Sequence, residues 1–116
     1  ADMERRDAIY GLVEWRGRLS DLIAAVREFP FDSEVPLVTL QAVHIRNALQ
    51  RYLSGNASAA DIEAWADAVE GRDDIEYFEP HEDAISDALF RLSTPRINTP
   101  LSKEVAEKWV SELSAL

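Results

Sequence analysis

Apolar side chains recur at intervals of three and four residues along most of this 116-residue chain. That spacing places them on one face of an α-helix, so each such segment predicts an amphipathic helix. Proline or glycine interrupts the pattern between segments, because proline disfavours helix in the residue before it and glycine caps helix ends. No segment alternates apolar and polar residues convincingly over the length of a strand. The sequence therefore predicts an all-α fold, a compact bundle of about five helices.

The bounds of these helices follow from the interruptions. Pro30 ends the first apolar segment, Pro36 can open the next at its first position, and Gly55 and Gly71 are helix-ending glycines. The predicted helices are Met3–Phe29, Pro36 to the cap at Gly55, Ser58 with Asp61 as a capping box up to Gly71, Pro80 to the connector at residues 93–100, and Ser102 onward.

Composition bounds the class of protein. The length fits one domain, residues 1–116, and 47% hydrophobic with 29% charged residues is typical of a globular domain. Cysteine is absent, so disulfides, thiolate metal sites and cysteine nucleophiles are excluded, and a cytoplasmic location is expected. No apolar run has the length of a membrane span, and the N-terminal residues lack the apolar stretch of a signal peptide.

Charge is unevenly distributed along the chain. The 22 acids and 12 bases give a formal net charge of −10. Residues 61–87, here called the acidic segment, hold eleven of the acids against Arg72 as their one base, which is also net −10. Such a field repels nucleic acid and anionic membranes and accelerates encounters with basic surfaces. We therefore expect a basic protein partner, with neither nucleic acid nor membrane as ligand.

The middle of the acidic segment has acids that no helix end explains, together with two aromatic residues. Carboxylates steer a basic partner, and an aromatic side chain among them supplies the buried contact that charges alone do not. Arg72 is predicted to be structural, pairing with Glu70, Asp73 or Asp74. Phe78 is predicted to hold the segment onto the core, whereas Tyr77 fits either a core or a partner contact. The predicted partner-binding residues are Asp73, Asp74, Glu76, Tyr77, Glu79 and Glu82.

The three tryptophans lie in predicted helices. Trp65 and Trp109 have apolar neighbours at helical spacing, which predicts core positions. Trp15 widens the apolar face of the first helix beyond one stripe. That helix is then either central and buried on two sides, or part of a contact with a second copy or a partner.

No catalytic or metal-binding motif is complete. A calcium loop of the EF-hand type fails from Asp73 and Asp74, because oxygen ligands and glycine do not fall at the required positions. The zinc motif begun by His81 would need a second histidine where Ile85 stands. We therefore predict no cofactor, no metal and no enzymatic activity. A metal-dependent or acid/base enzyme using His81 and the carboxylates of residues 79–83 is an alternative.

A pattern over nearly half of the chain resembles a family of small acidic helical bacterial proteins. It comprises a Tyr-Leu-x-Gly turn, a Trp-Ala pair, a Glu-x-Arg-x-Asp-Ile run, and a late Leu-x-x-Pro-x-Ile connector before the last helix. The resemblance implies a helical fold, and in general character such proteins are similar to toxin-immunity proteins, which occlude a basic toxin. The matching positions are Tyr52, Leu53, Gly55, Trp65, Ala66, Glu70, Arg72, Asp74, Ile75, Leu92, Pro95, Ile97, Leu101 and Ser102.

Three functions are thus open. The first is a protein-binding module, an inhibitor or immunity-type protein that docks a basic partner through residues 61–87. The second is a structural or homo-oligomeric helical module, and the third is the enzyme described above. Both a monomer and a homodimer are compatible with the sequence.

Overall fold

The computed structural model describes residues 2–116, and most of this part of the chain is helical, as predicted. It contains six α-helices instead of about five, together with a short 3₁₀ helix and a two-stranded parallel sheet. In chain order the elements are α1 (Asp2–Glu14), α2 (Leu19–Val26), β1 (Val38–Leu40), α3 (Ala42–Leu53), α4 (Ala59–Val69), β2 (Ile75–Tyr77), the 3₁₀ helix (Glu79–His81), α5 (Glu82–Ser93) and α6 (Lys103–Ser114).

The prediction of a single helix over Met3–Phe29 is wrong, because this segment forms two helices that separate at Trp15. Trp15 adopts a positive φ of 53°, and the next turn contains Gly17 with φ 119°. The N–H of Trp15 donates to the carbonyl of Leu12, and that of Arg16 donates to the carbonyl of Gly11. This pair of bonds is a Schellman motif, which ends α1 at Glu14 although the apolar pattern continues to Phe29.

The prediction of a helix starting at Pro36 is also wrong, because Val38–Leu40 forms strand β1. Its parallel partner is β2, with Val38 opposite Ile75 and Leu40 opposite Tyr77. Both strands are only three residues long, which is too short for an alternating pattern to be recognised in the sequence. Helix α3 therefore begins at Ala42 and keeps its predicted end at Gly55, whose φ is 84°.

The starts of the later helices agree with the predicted capping residues. The Ser58 hydroxyl accepts from the Asp61 N–H, and the Asp61 carboxylate accepts from the Ser58 N–H, which is the predicted capping box. The Ser102 hydroxyl accepts from the Val105 N–H at the start of α6. Pro80 differs, because it lies in the 3₁₀ helix that precedes α5.

The core lies between α1, α3, α4 and α5. Helix α3 packs against α6 and α5, while α4 packs against α5 and α2. Trp65 is fully buried, and its indole N–H donates to the Leu12 carbonyl, which ties α4 to α1. No helix among residues 2–116 combines the length and apolar character needed to cross a membrane. The largest fully buried side chains are Ile9, Leu12, Leu40, Ile45, Leu49, Ile62, Trp65, Ile85 and Leu89.

Candidate protein-binding groove

The loop between α4 and β2 is built around a buried carboxylate. Asp74 is fully buried, and Arg72 donates to both of its oxygens, from Nε at 2.9 Å and from Nη2 at 3.0 Å. Arg5 of α1 donates from Nε to Oδ2 of the same carboxylate at 2.9 Å. Two guanidinium groups on one carboxylate satisfy the oxygens that burial removes from water. Arg5, Arg72 and Asp74 are called the arginine–aspartate cluster below.

The cluster also fixes the neighbouring backbone. Arg5 donates to the carbonyls of Pro30 and Asp32, and Arg72 donates to that of Pro30. The main-chain carbonyl of Asp74 accepts from the N–H groups of Leu37 and Val38, where β1 begins. The cluster thus joins α1, the segment before β1 and the segment before β2.

Asp74 is therefore not a partner-binding residue, contrary to the prediction. Its carboxylate has no exposed surface and is already paired with two arginines. Arg72, which is 4% exposed, pairs with Asp74, one of the three carboxylates that the sequence offered. The base of the acidic segment is consequently buried and paired with Asp74.

An open groove lies beside β2, and we call it the acidic groove. Its volume is about 460 Å³. Asp73, Glu76, Glu79 and Glu82 are exposed and supply carboxylates to its walls. All four are residues predicted to contact a partner. The remaining lining residues are Gly71, Arg72, Ile75 and Tyr77.

Tyr77 forms part of the groove wall and also contacts the core. Its side chain is half-buried and packs against the core residues. Burial of the phenol and the nearby Glu70 carboxylate raise the pKa of Tyr77, and a hydrogen bond with the Gly71 backbone partly offsets this. The ring thus links the groove wall to the core.

Phe78 was predicted to hold the segment onto the core, but it is among the exposed large hydrophobic residues. Its side chain is 37% exposed, and its ring meets the His81 imidazole edge-on with centroids 5.3 Å apart. Successive side chains of an extended strand point to opposite faces, so Tyr77 takes the inward position and Phe78 the outward one. Trp65 lies in the core, and Trp109 is half-buried at its edge.

The alternative metal or acid/base site lies at the start of α5. Glu79, Glu82 and Asp83 are exposed, while His81 is half-buried beside Phe78. Among residues 2–116, no three histidine, aspartate or glutamate side chains come together as potential metal ligands. Glu79 and Glu82 instead line the groove, and Asp83 is not part of its lining.

Two residues that support the groove, Arg5 and Thr39, were not predicted from the sequence. Arg5 lies 69 positions before Asp74, and no local pattern connects them. Thr39 donates from its hydroxyl to Glu76 at 3.0 Å across the sheet, a contact that depends on the unpredicted strands. The available signal was an Arg and an Asp two residues apart: Arg72 was predicted to pair with Glu70, Asp73 or Asp74, whereas Asp74 was assigned to partner binding.

Comparison with known proteins identified no match to this chain. No family model matches the chain, and neither a curated protein nor a solved structure matches it.

Proposed function

We propose that this protein is a binding module that docks a basic protein partner in the acidic groove. The proposal rests chiefly on one observation: four exposed carboxylates line a single groove, and Arg72, the base in its lining, is buried and paired with Asp74. Uncompensated carboxylates around a concave surface favour positive ligands and accelerate their arrival. An immunity-type inhibitor of a basic toxin, acting in a reducing cytoplasm, is the biological role that this chemistry fits best.

The arginine–aspartate cluster supports this function by holding the groove in one shape. It fixes the backbone on both sides of Asp73 and at the start of β1. A surface that is ordered before binding loses less conformational entropy when the partner arrives. Tyr77 contributes apolar area between the carboxylates, and desolvated contacts of that kind provide most of the affinity in protein interfaces.

The proposal is tested by selecting binders from a library of random dodecapeptides displayed on phage. We expect enrichment of lysine and arginine among peptides retained by the wild-type protein. Affinity of the best selected peptide is then measured by calorimetry for two charge-reversed variants. D73K/E76K changes the groove, and E107K/E112K makes the same charge change at exposed positions of α6.

The groove variant should bind the peptide about 10- to 100-fold more weakly, whereas the α6 variant should lose little affinity. Equal affinity of both variants would contradict docking in the groove. Selected peptides without excess positive charge would contradict the chemistry of the partner. Circular dichroism of both variants serves as the control for folding.

A further inference from the structure

We propose that the outer edge of β2 pairs with an extended basic segment of the partner, which adds a third strand to the sheet. This inference deepens the proposed function and rests on it, since it specifies how the groove holds a basic ligand. The sheet has two strands among the described residues, so β2 has one paired edge and one edge without a strand.

The pairing with β1 determines which backbone groups of β2 are used. In this parallel ladder the Val38 N–H donates to the Asp74 carbonyl, and the Phe78 N–H donates to the Leu40 carbonyl. The register places Thr39 opposite Glu76, so both backbone groups of Glu76 also face β1. Even-numbered residues of this segment thus supply the inner edge.

The backbone groups of the odd-numbered residues point the other way. The N–H of Ile75 donates locally to the Arg72 carbonyl. The carbonyl of Ile75, and the N–H and carbonyl of Tyr77, have no hydrogen-bond partner among residues 2–116. An extended peptide satisfies such groups by forming a new ladder, the mode of recognition called β-augmentation.

The acidic groove provides the space and the charge for this strand. Ile75 and Tyr77 line it together with Gly71. Asp73 precedes the strand, and Glu79 and Glu82 follow it. A bound strand with lysine or arginine at alternate positions therefore meets carboxylates at both ends of β2.

The same charges disfavour a second copy of this chain as the occupant. Edge-to-edge pairing of two copies would bring the carboxylates of Asp73, Glu76 and Glu79 against their own equivalents. Like charges across an interface cost affinity, and acidic residues at a strand edge are a common protection against self-association. The unpaired edge of β2 therefore disfavours pairing with a second copy of this chain and favours pairing with a basic strand.

The test uses three synthetic nonapeptides in which lysine and valine alternate. One is unmodified, one is N-methylated on the backbone of its lysines, and one on the backbone of its valines. All three carry the same charge, but in a bound strand only one alternate set of N–H groups faces β2. Binding to the full protein is measured by fluorescence anisotropy, and the Tyr77 amide is followed by NMR.

We expect the unmodified peptide to bind and one methylated peptide to lose about tenfold or more in affinity, while the other retains its affinity. The Tyr77 amide should become protected from hydrogen exchange on binding. Equal affinities of the two methylated peptides, whether retained or lost, would overturn strand addition. Failure of all three peptides to bind would contradict the proposed function itself, so the two failures are distinct.

Discussion

At the scale of single residues, charge in the sequence does not map directly onto charge at the surface. Asp74 lies in a run of acids, yet it is 0% exposed and holds two arginines. Its neighbour Asp73 has the opposite environment and lines the groove. Adjacent residues with the same side chain thus have different roles, and only the backbone path separates them.

Asp74→Asn is expected to lower the free energy of unfolding by about 3 kcal/mol or more, because it leaves two buried guanidinium groups without a counter-charge. The matched control is Asp73→Asn, one residue away and exposed, for which a change within about 0.5 kcal/mol is expected. Urea unfolding of both variants measures the difference. Similar free energies for the two would show that the cluster does not stabilise the fold.

Trp15 is the least conventional residue of the backbone, since bulky side chains rarely take a positive φ. Its ring stacks on Trp65 with centroids 6.1 Å apart, and the Arg51 guanidinium lies 5.2 Å from its centroid. Arg51 also donates to the Trp15 carbonyl at 2.9 Å. These contacts stabilise a conformation for which the side chain itself has no preference.

A pair of substitutions separates the two contributions of Trp15. Trp15→Ala should cost about 3–5 kcal/mol through lost packing while the positive φ remains. Trp15→Gly should lose the same packing but recover about 1 kcal/mol, because glycine adopts a positive φ without strain. Glycine is thus expected to give the higher melting temperature, the reverse of the usual order in a helix. A lower melting temperature for Trp15→Gly than for Trp15→Ala would contradict backbone strain at the positive φ of this position.

Most residues of the family-like pattern that have polar contacts here contribute to the fold. Arg72 and Asp74 form the cluster, and Trp65 donates to the backbone of α1. Glu70 accepts from Ser93 at 2.8 Å, and Ser102 caps α6. The groove carboxylates Asp73, Glu76, Glu79 and Glu82 lie outside the pattern. The pattern therefore describes how the chain folds and says little about what it binds.

At the scale of elements, the sequence predicts the helices well wherever a capping residue coincides with the apolar pattern. Ser58, Gly55, Gly71 and Ser102 each lie at the predicted helix end. The break at Trp15 was missed because no proline interrupts the pattern and the bulky residue with positive φ gives no local signal. The strands were missed because three-residue strands are stabilised by pairing across 37 positions, which local propensity does not encode.

Removal of either serine cap tests how much these ends contribute. Ser58→Ala and Ser102→Ala should each lower the free energy of unfolding by about 1 kcal/mol, because a backbone N–H loses its acceptor. Ser111→Ala, at an exposed interior position of α6, should be neutral or slightly stabilising, since alanine is the better helix former. Equal losses at all three positions would argue against capping.

At the scale of the whole molecule, the excess charge comes from one continuous segment that runs from α4 through β2 to α5. The sequence predicted this concentration and most of the groove residues. It did not predict the groove itself, which requires β2 and the cluster to bring residues 71–82 around one concave surface. The carboxylates that attract a basic partner also repel one another, and this repulsion destabilises the folded state.

Asp67 is one of the carboxylates that this repulsion affects. Partial burial of its carboxyl, followed by the nearby Glu63 and Glu70, raises the pKa of Asp67 in the folded protein. The folded state therefore binds its proton more tightly than the unfolded state, so this carboxylate destabilises the fold above that pKa. Asp67→Asn should stabilise the protein slightly at neutral pH, and the gain should vanish as the pH falls below the pKa of the unfolded chain. Thermal unfolding between acidic and neutral pH measures this, with Glu107→Gln as the control for which no gain is expected.

The association rate of the basic nonapeptide as a function of ionic strength tests the central claim most directly. For the wild-type protein and E107K/E112K, stopped-flow measurements should give a rate constant that falls steeply with added salt, because the groove field accelerates the encounter. For D73K/E76K, the rate constant should be low at low salt and change little. A wild-type rate that is independent of salt, or equal rates for the two variants, would contradict a groove that binds basic partners.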